Sequence, residues 1–127
     1  MKSKLLKFFA GLAALAVSAS AATRNVPSQY ATIQAAVDAA VSGDTISIAN
    51  GTYNEQVTVS NSHTHLTFVG ASQTGVKLQA GNGQTALTIH GTDITFEYMT
   101  IANTYTSGST TSHAVYVDSA QVEFYRC

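Results

Sequence analysis

The sequence predicts an all-β protein, a parallel β-helix entered through one short helix. Three observations carry this expectation. Apolar residues recur with a period of two from Thr45 onward, in stretches rich in β-branched and aromatic residues separated by Gly, Asn, Ser and Thr. A single stripe of helical period precedes them. Strand starts then recur at a roughly constant spacing, with Ile46, Leu66 and Ala86 in one series and Val57, Val76, Ile94 and Val115 in another. Such a period fits a solenoid whose coils each add one strand to several sheets. An antiparallel sandwich, with its short strands and closely spaced turn signals, is the rival that periodicity alone leaves open.

The opening segment from Met1 to Ala21, MKSKLLKFFAGLAALAVSASA, sets Lys2, Lys4 and Lys7 at or near the start of an apolar run from Leu5 to Val17, followed by small residues with Ala19-x-Ala21. This is the pattern of a secretory signal peptide, and the expectation is export with cleavage near Ala21. The run is too short for a bilayer, which needs roughly 20 apolar residues. Residues 22–127 then keep Arg24, Lys77 and Arg126 against seven acids, 3 − 7 = −4 with His neutral. With no basic cluster to neutralise phosphates, nucleic acid is not an expected partner. An acidic chain is also a poor receptor for a polyanion but can bind a neutral or esterified polymer. Cys127 is the one cysteine. In an exported protein it is either a free thiol or the partner of a cysteine beyond this sequence.

Taking the elements in order, YATIQAAVDAAVSGDTI places Ile33, Ala36, Val37, Ala40 and Val41 on one helical face, with Thr32 as the cap and Gly43 as the stop. Asp38 falls on the exposed side of that helix. In ANGTYNEQVTVS, Gly51 reads as a position of positive φ or little room, and Val57-Thr58-Val59 as a half-buried strand. The strands TISIA, VTVS, LTFVG, VKLQ, ALTIH, ITFEYMTIAN, AVYVD and VEFYR follow.

YATIQAAVDAA, GTYNEQVTV, LTFVGASQTGVKL, MTIANT and HAVYVDSAQVEFYRC, in this order and spacing, resemble the N-terminal part of the pectin methylesterases (pectinesterases). Ser47 and Ala49 depart from the family's usual residues before the turn glycine. The resemblance implies a secreted, right-handed β-helix, monomeric when complete and without a cofactor. Its expected substrate is methyl-esterified homogalacturonan, hydrolysed to pectate and methanol. The family's chemistry uses an Asp nucleophile, a second Asp as acid, an orienting Arg and Gln amides that hold the oxyanion. Its Asp and Arg motifs, of the G-x-Q-D-T-L and D-F-I-F-G kind, follow the element that VEFYRC resembles. Neither motif occurs in this sequence, so the resemblance implies N-terminal coils, residues 22–127, of an incomplete domain. His113 stands at the position of the first oxyanion Gln, and an imidazole N–H is a shorter donor than a Gln amide. Thr85, with Gln84, lies near the family's substrate contacts and is the other candidate binding residue. Two other readings remain: a pectate lyase-like β-helix, which would need Ca²⁺ and clustered carboxylates, and a structural solenoid without catalysis.

The remaining polar residues have plainer expectations. Asp44 and Glu55 flank turns and read as solvated or turn-capping. His63 and His65 stand two apart, on one strand face, and without a third ligand nearby they read as structural rather than metal-binding. Tyr53, Tyr98, Tyr105, Tyr116 and Tyr125 could offer stacking platforms for sugars, with packing the commoner use. Asn50-Gly51-Thr52 is an N-glycosylation sequon.

Overall fold

A short polar corner between two extended stretches lets the chain turn without leaving the sheet direction, and this chain repeats that step from Thr45 to Ala80. The computed structural model describes residues 20–81, 83–104 and 113–127. Nearly all of the signal segment, and Tyr105, lie outside the described residues. The elements are β1 (Thr23–Val26), α1 (Ile33–Ala39), β2 (Thr45–Ile48), β3 (Gly51–Asn54), β4 (Val57–Val59), β5 (Thr64–Gly70) and β6 (Val76–Ala80). After them come β7 (Leu87–Ile89), β8 (Thr92–Glu97), β9 (Thr100–Asn103), β10 (Val115–Val117) and β11 (Val122–Tyr125).

Each coil visits three sheets in turn. The first sheet runs β1-β2-β5-β8-β11, the second β3-β6-β9 and the third β4-β7-β10, and every pairing is parallel. The result is a parallel β-solenoid of about four turns, consistent with a right-handed β-helix. Alternate residues point inward and stack on their register partners. Ile46, Phe68, Phe96 and Phe124 form one such column, with the phenyl rings stacked at centroid distances of 4.4 and 5.2 Å. Leu66 lies on Ile94 and Val57 on Leu87, all of them buried.

The coils are longer than the strand starts implied, and they are unequal. One coil carries the chain from Thr45 to its register partner Thr67, and the next, longer one carries it from Thr67 to Thr95. Ile46 therefore stacks on Phe68 rather than Leu66, and Ala86 precedes a strand of the third sheet. The second series mixes all three sheets. A coil of three strands joined by unequal corners produces near-equal spacings between strands that never pair.

In the first coil α1 takes the place of second- and third-sheet strands, packing Ile33, Ala36 and Val37 against β1, β2 and β4. Thr32 accepts from Ala35 N at 3.1 Å, the expected cap. The helix ends at Ala39, before the anticipated glycine stop. Ala40 is already extended, at ψ 145°, and Val41 is 45% exposed rather than on the buried stripe. The chain must leave the helix there to bring Val41 N to the Asp44 carboxylate.

Gly43, at φ 92°, opens a column of left-handed corners, followed by His65, Asp93 and Gln121 at 55°, 57° and 61°. Each stands two residues before a register partner of the first sheet, so one corner geometry recurs on successive coils. Gly51 is different from expectation. Its φ is not positive, and a Cβ there would make only ordinary contacts with the Tyr53 ring. The cramped position is its neighbour in the next coil, Gly75, where a Cβ would collide with Asn50 Oδ1.

Candidate binding cleft between the second and third sheets

The corner between the second and third sheets is lined by amides because the strands leading into it expose polar residues on their outer positions. Asn54 ends β3 and Gln79 lies opposite it in β6, and Gln79 Nε2 donates to Asn54 Oδ1 at 2.6 Å. Gln56 and Gln84 enter from the connections that follow these strands. Together with Glu55 and the Ala80-Gly81 backbone they line an open cleft of about 270 Å³.

Of the two residues named from the family resemblance, Thr85 is joined to this cleft through its backbone, and His113 is linked to it only by way of Asn103. Gln56 Nε2 donates to the Thr85 carbonyl at 3.4 Å. Asn103 Nδ2 donates to the Gln84 carbonyl at 3.0 Å and to the His113 carbonyl at 3.3 Å. Asn103 thus ties successive coils together behind Gln84. The His113 imidazole is exposed, tilted against Tyr116 at 6.5 Å between centroids. Asn54, Gln56, Gln79 and Asn103 were not singled out from sequence. The signal that would find them is the pairing of positions 54 and 79, visible only once the coil length is known.

Glu55 is the carboxylate of the cleft lining, and its oxygens are committed. They accept from Ile33 N at 2.9 Å and Gln34 N at 3.1 Å, fastening the start of α1 to the corner after β3. Gln34 completes the junction by accepting from Thr58 N at 2.7 Å and donating to Thr58 O at 3.2 Å. Gly51-Thr52-Tyr53 belongs to strand β3 rather than to a turn, and the Glu two positions after Tyr53 caps the first turn of α1, far upstream. Tyr53 donates to Ala49 O at 2.8 Å, and burial together with the neighbouring Glu55 raises its hydroxyl pKa.

Asp44 is not solvated. It is fully buried and accepts from Ala22 N, Val41 N and Arg24 Nε at 2.8, 2.9 and 2.6 Å. Burial opposes its ionisation, yet these donors and the Arg24 charge hold its carboxyl below the ordinary carboxylate range. Arg24 also donates to the Tyr30 hydroxyl at 2.7 Å.

The histidines make separate contacts. His63 Nδ1 meets Ser60 Oγ at 2.9 Å, before β5 begins, whereas His65 Nε2 meets Asp93 Oδ2 at 3.0 Å on the next coil. His90 Nδ1 meets Asp118 Oδ1, a second coil-to-coil pair beside Ser60 and Asn61. Among the described residues no group of three or more His, Cys, Asp or Glu is placed to hold a metal ion. Asp38 is exposed as expected and accepts from Gln34 Nε2 at 2.7 Å. Asn50 of the sequon is exposed and accepts from Ser72 Oγ at 2.9 Å. Tyr98 and Tyr125 pack edge to face at 5.7 Å with Arg126 over both rings, so they serve one another before any sugar.

What the cleft offers chemically is an array of neutral donors and acceptors. Amides of this kind suit hydroxyl groups and ester carbonyls, and among the described residues no carboxylate pair faces them to divide nucleophile from acid. No family model matches the chain, and no curated protein matches it.

Proposed function

We propose that this chain is the polysaccharide-binding N-terminal portion of a secreted, pectinesterase-like β-helix, and that its amide cleft holds methyl-esterified homogalacturonan. The observation that carries the reading is the amide lining of that corner by Asn54, Gln56, Gln79 and Gln84, with Thr85 bonded to Gln56 through its carbonyl. The charge balance of residues 22–127 supports the choice of ligand, since an esterified polymer avoids the repulsion that pectate would meet. The reading assigns binding to residues 22–127 and no demethylation step to their cleft, whose amides face no carboxylate pair among the described residues.

Titration calorimetry with methyl-esterified and de-esterified oligogalacturonides tests it, alongside methanol release. The expected result is binding of the esterified oligomer, tighter than the de-esterified one, with no methanol formed. Gln79→Ala combined with Gln84→Ala should weaken binding about five- to thirtyfold, the loss of one to two hydrogen bonds of about 1 kcal/mol each. Equal binding by wild type and the double variant would remove the cleft from the proposal. Absence of binding to either oligomer would favour a structural solenoid.

A further inference from the structure

Asp44 is the one buried polar or charged residue among those described, and it sits at the N-terminal end of the solenoid. A buried carboxylate is unfavourable unless donors and a counter-charge surround it. Arg24 Nε and Val41 N serve Oδ2, and the main-chain nitrogen of Ala22 serves Oδ1 at 2.8 Å. Ala22 is where the coil takes hold of the chain. Its carbonyl accepts from Thr45 N at 2.9 Å, and β1 begins at the next residue. Ser20 and Ala21 are exposed and belong to no strand. The small residues Ala19 and Ala21 independently put the processing bond of an exported chain between Ala21 and Ala22. Two unrelated boundaries, one from residue spacing and one from hydrogen bonding, meet at a single nitrogen.

We propose that Ala22 is the first residue of the mature protein and that Asp44 is the buried receptor for its α-ammonium group. The inference rests on the export reading of the N-terminal segment. Hydrolysis of the Ala21–Ala22 peptide bond adds one water: its oxygen goes to the Ala21 carbonyl carbon, which leaves as a carboxylate, and both of its hydrogens go to the Ala22 nitrogen, whose N–H becomes an ammonium. The hydrogen bond to Oδ1 is kept and becomes charge-assisted. Ala22 is exposed, so water serves the two other ammonium protons. The charged and titratable groups around this site are few. Arg24 occupies the other carboxylate oxygen, the Tyr30 hydroxyl is bonded to Arg24, α1 contributes only the Val41 backbone beyond its end, and His65 of β5 turns its ring to Asp93. Arg24 repels the ammonium, but each cation has its own oxygen of the carboxylate. Processing therefore adds a stabilising pair to the first coil, and the uncut precursor lacks it.

The test has two arms that separate export from pairing. Intact-mass and N-terminal sequencing of exported protein should find Ala22 first; any other mature N-terminus overturns the processing claim. In the second arm, protein released from a cleavable tag so that it begins at Ala22 is compared with the same protein Nα-acetylated. The free amine should melt about 4 °C higher at pH 6. A raised α-amino pKa makes that advantage full below the ordinary value of about 7.7 and lost as pH rises through the higher folded value. In Asp44→Asn the difference between amine and acetyl forms should vanish. Equal melting of the two forms at every pH overturns the pairing, and if Asp44→Asn does not fold, the acetylation comparison decides alone.

Discussion

Asp44 and Glu55 show how little a residue's neighbours in sequence say about its task in a coil. Both flank turns, and both reach partners far upstream, Asp44 on β1 and Glu55 at the start of α1. Solvation or turn-capping was the expectation for each; Asp44 does cap its own turn through Val41 N, and engagement with the solenoid's first coil is what the fold adds. Replacing Asp44 with Ala strips Arg24 of its counter-ion and leaves the Val41 and Ala22 N–H groups without an acceptor. The expected loss is about 3 kcal/mol, read from denaturant midpoints. The Asp44 carboxyl is held below the ordinary range while the Arg24 pKa is raised, burial opposing both shifts and the mutual pair overriding it. For a depressed carboxylate the contribution is complete above the unfolded value of about 3.9 and is lost as pH falls through the folded one. Acid unfolding of wild type should thus be steeper than that of Asp44→Ala in this window. Parallel acid-stability curves for the two proteins would deny the carboxylate its role.

The strands hold together through columns rather than through single contacts. Phe68, Phe96 and Phe124 stack on three successive coils, with Phe96 in the middle and buried. Phe96→Ala should destabilise by about 3–5 kcal/mol, because it leaves a cavity between two rings. Phe96→Leu, which keeps most of the volume, should lose less than half of that. A loss below about 1 kcal/mol for Phe96→Ala would mean that the column collapses onto the gap. Period-two alternation in LTFVG and ITFEYM made both strands legible, and the Thr32 cap was legible by its own chemistry. Their pairing was not, since register depends on corner length, and the corners at 60–63 and 71–75 carry no fixed spacing signal. The amide cleft failed to emerge for the same reason. Asn54 and Gln79 are ordinary polar positions until β3 is laid on β6. Family resemblance named Thr85 as a substrate contact and His113 as an oxyanion donor; Thr85 meets the cleft through its carbonyl and His113 bonds to Asn103 through its own, which no side-chain pattern records.

A solenoid distributes its stability along one axis, because each coil touches only its neighbours. The described part of this molecule is uneven along that axis. At one end α1 covers the first coil, with Glu55 fastening the helix and Arg24–Asp44 beneath β1. In the middle β5 lies between β2 and β8 and buries Leu66, Phe68 and Gly70. Toward β10 and β11 the pattern changes, with Tyr116, Val117, Phe124 and Tyr125 between 41% and 50% exposed. Opening such a coil uncovers little further apolar surface, so it needs less free energy than opening the middle. Hydrogen–deuterium exchange of the whole chain should show amides of β5 and β8 exchanging slowest, β2 and α1 close behind, and β10 and β11 fastest among the strands. In Phe96→Ala the exchange of β11 should rise more than that of β2, since Phe124 rests on Phe96 while Ile46 is two coils away from it. Uniform protection from β1 to β11 would show instead that all the coils open together, as one cooperative unit.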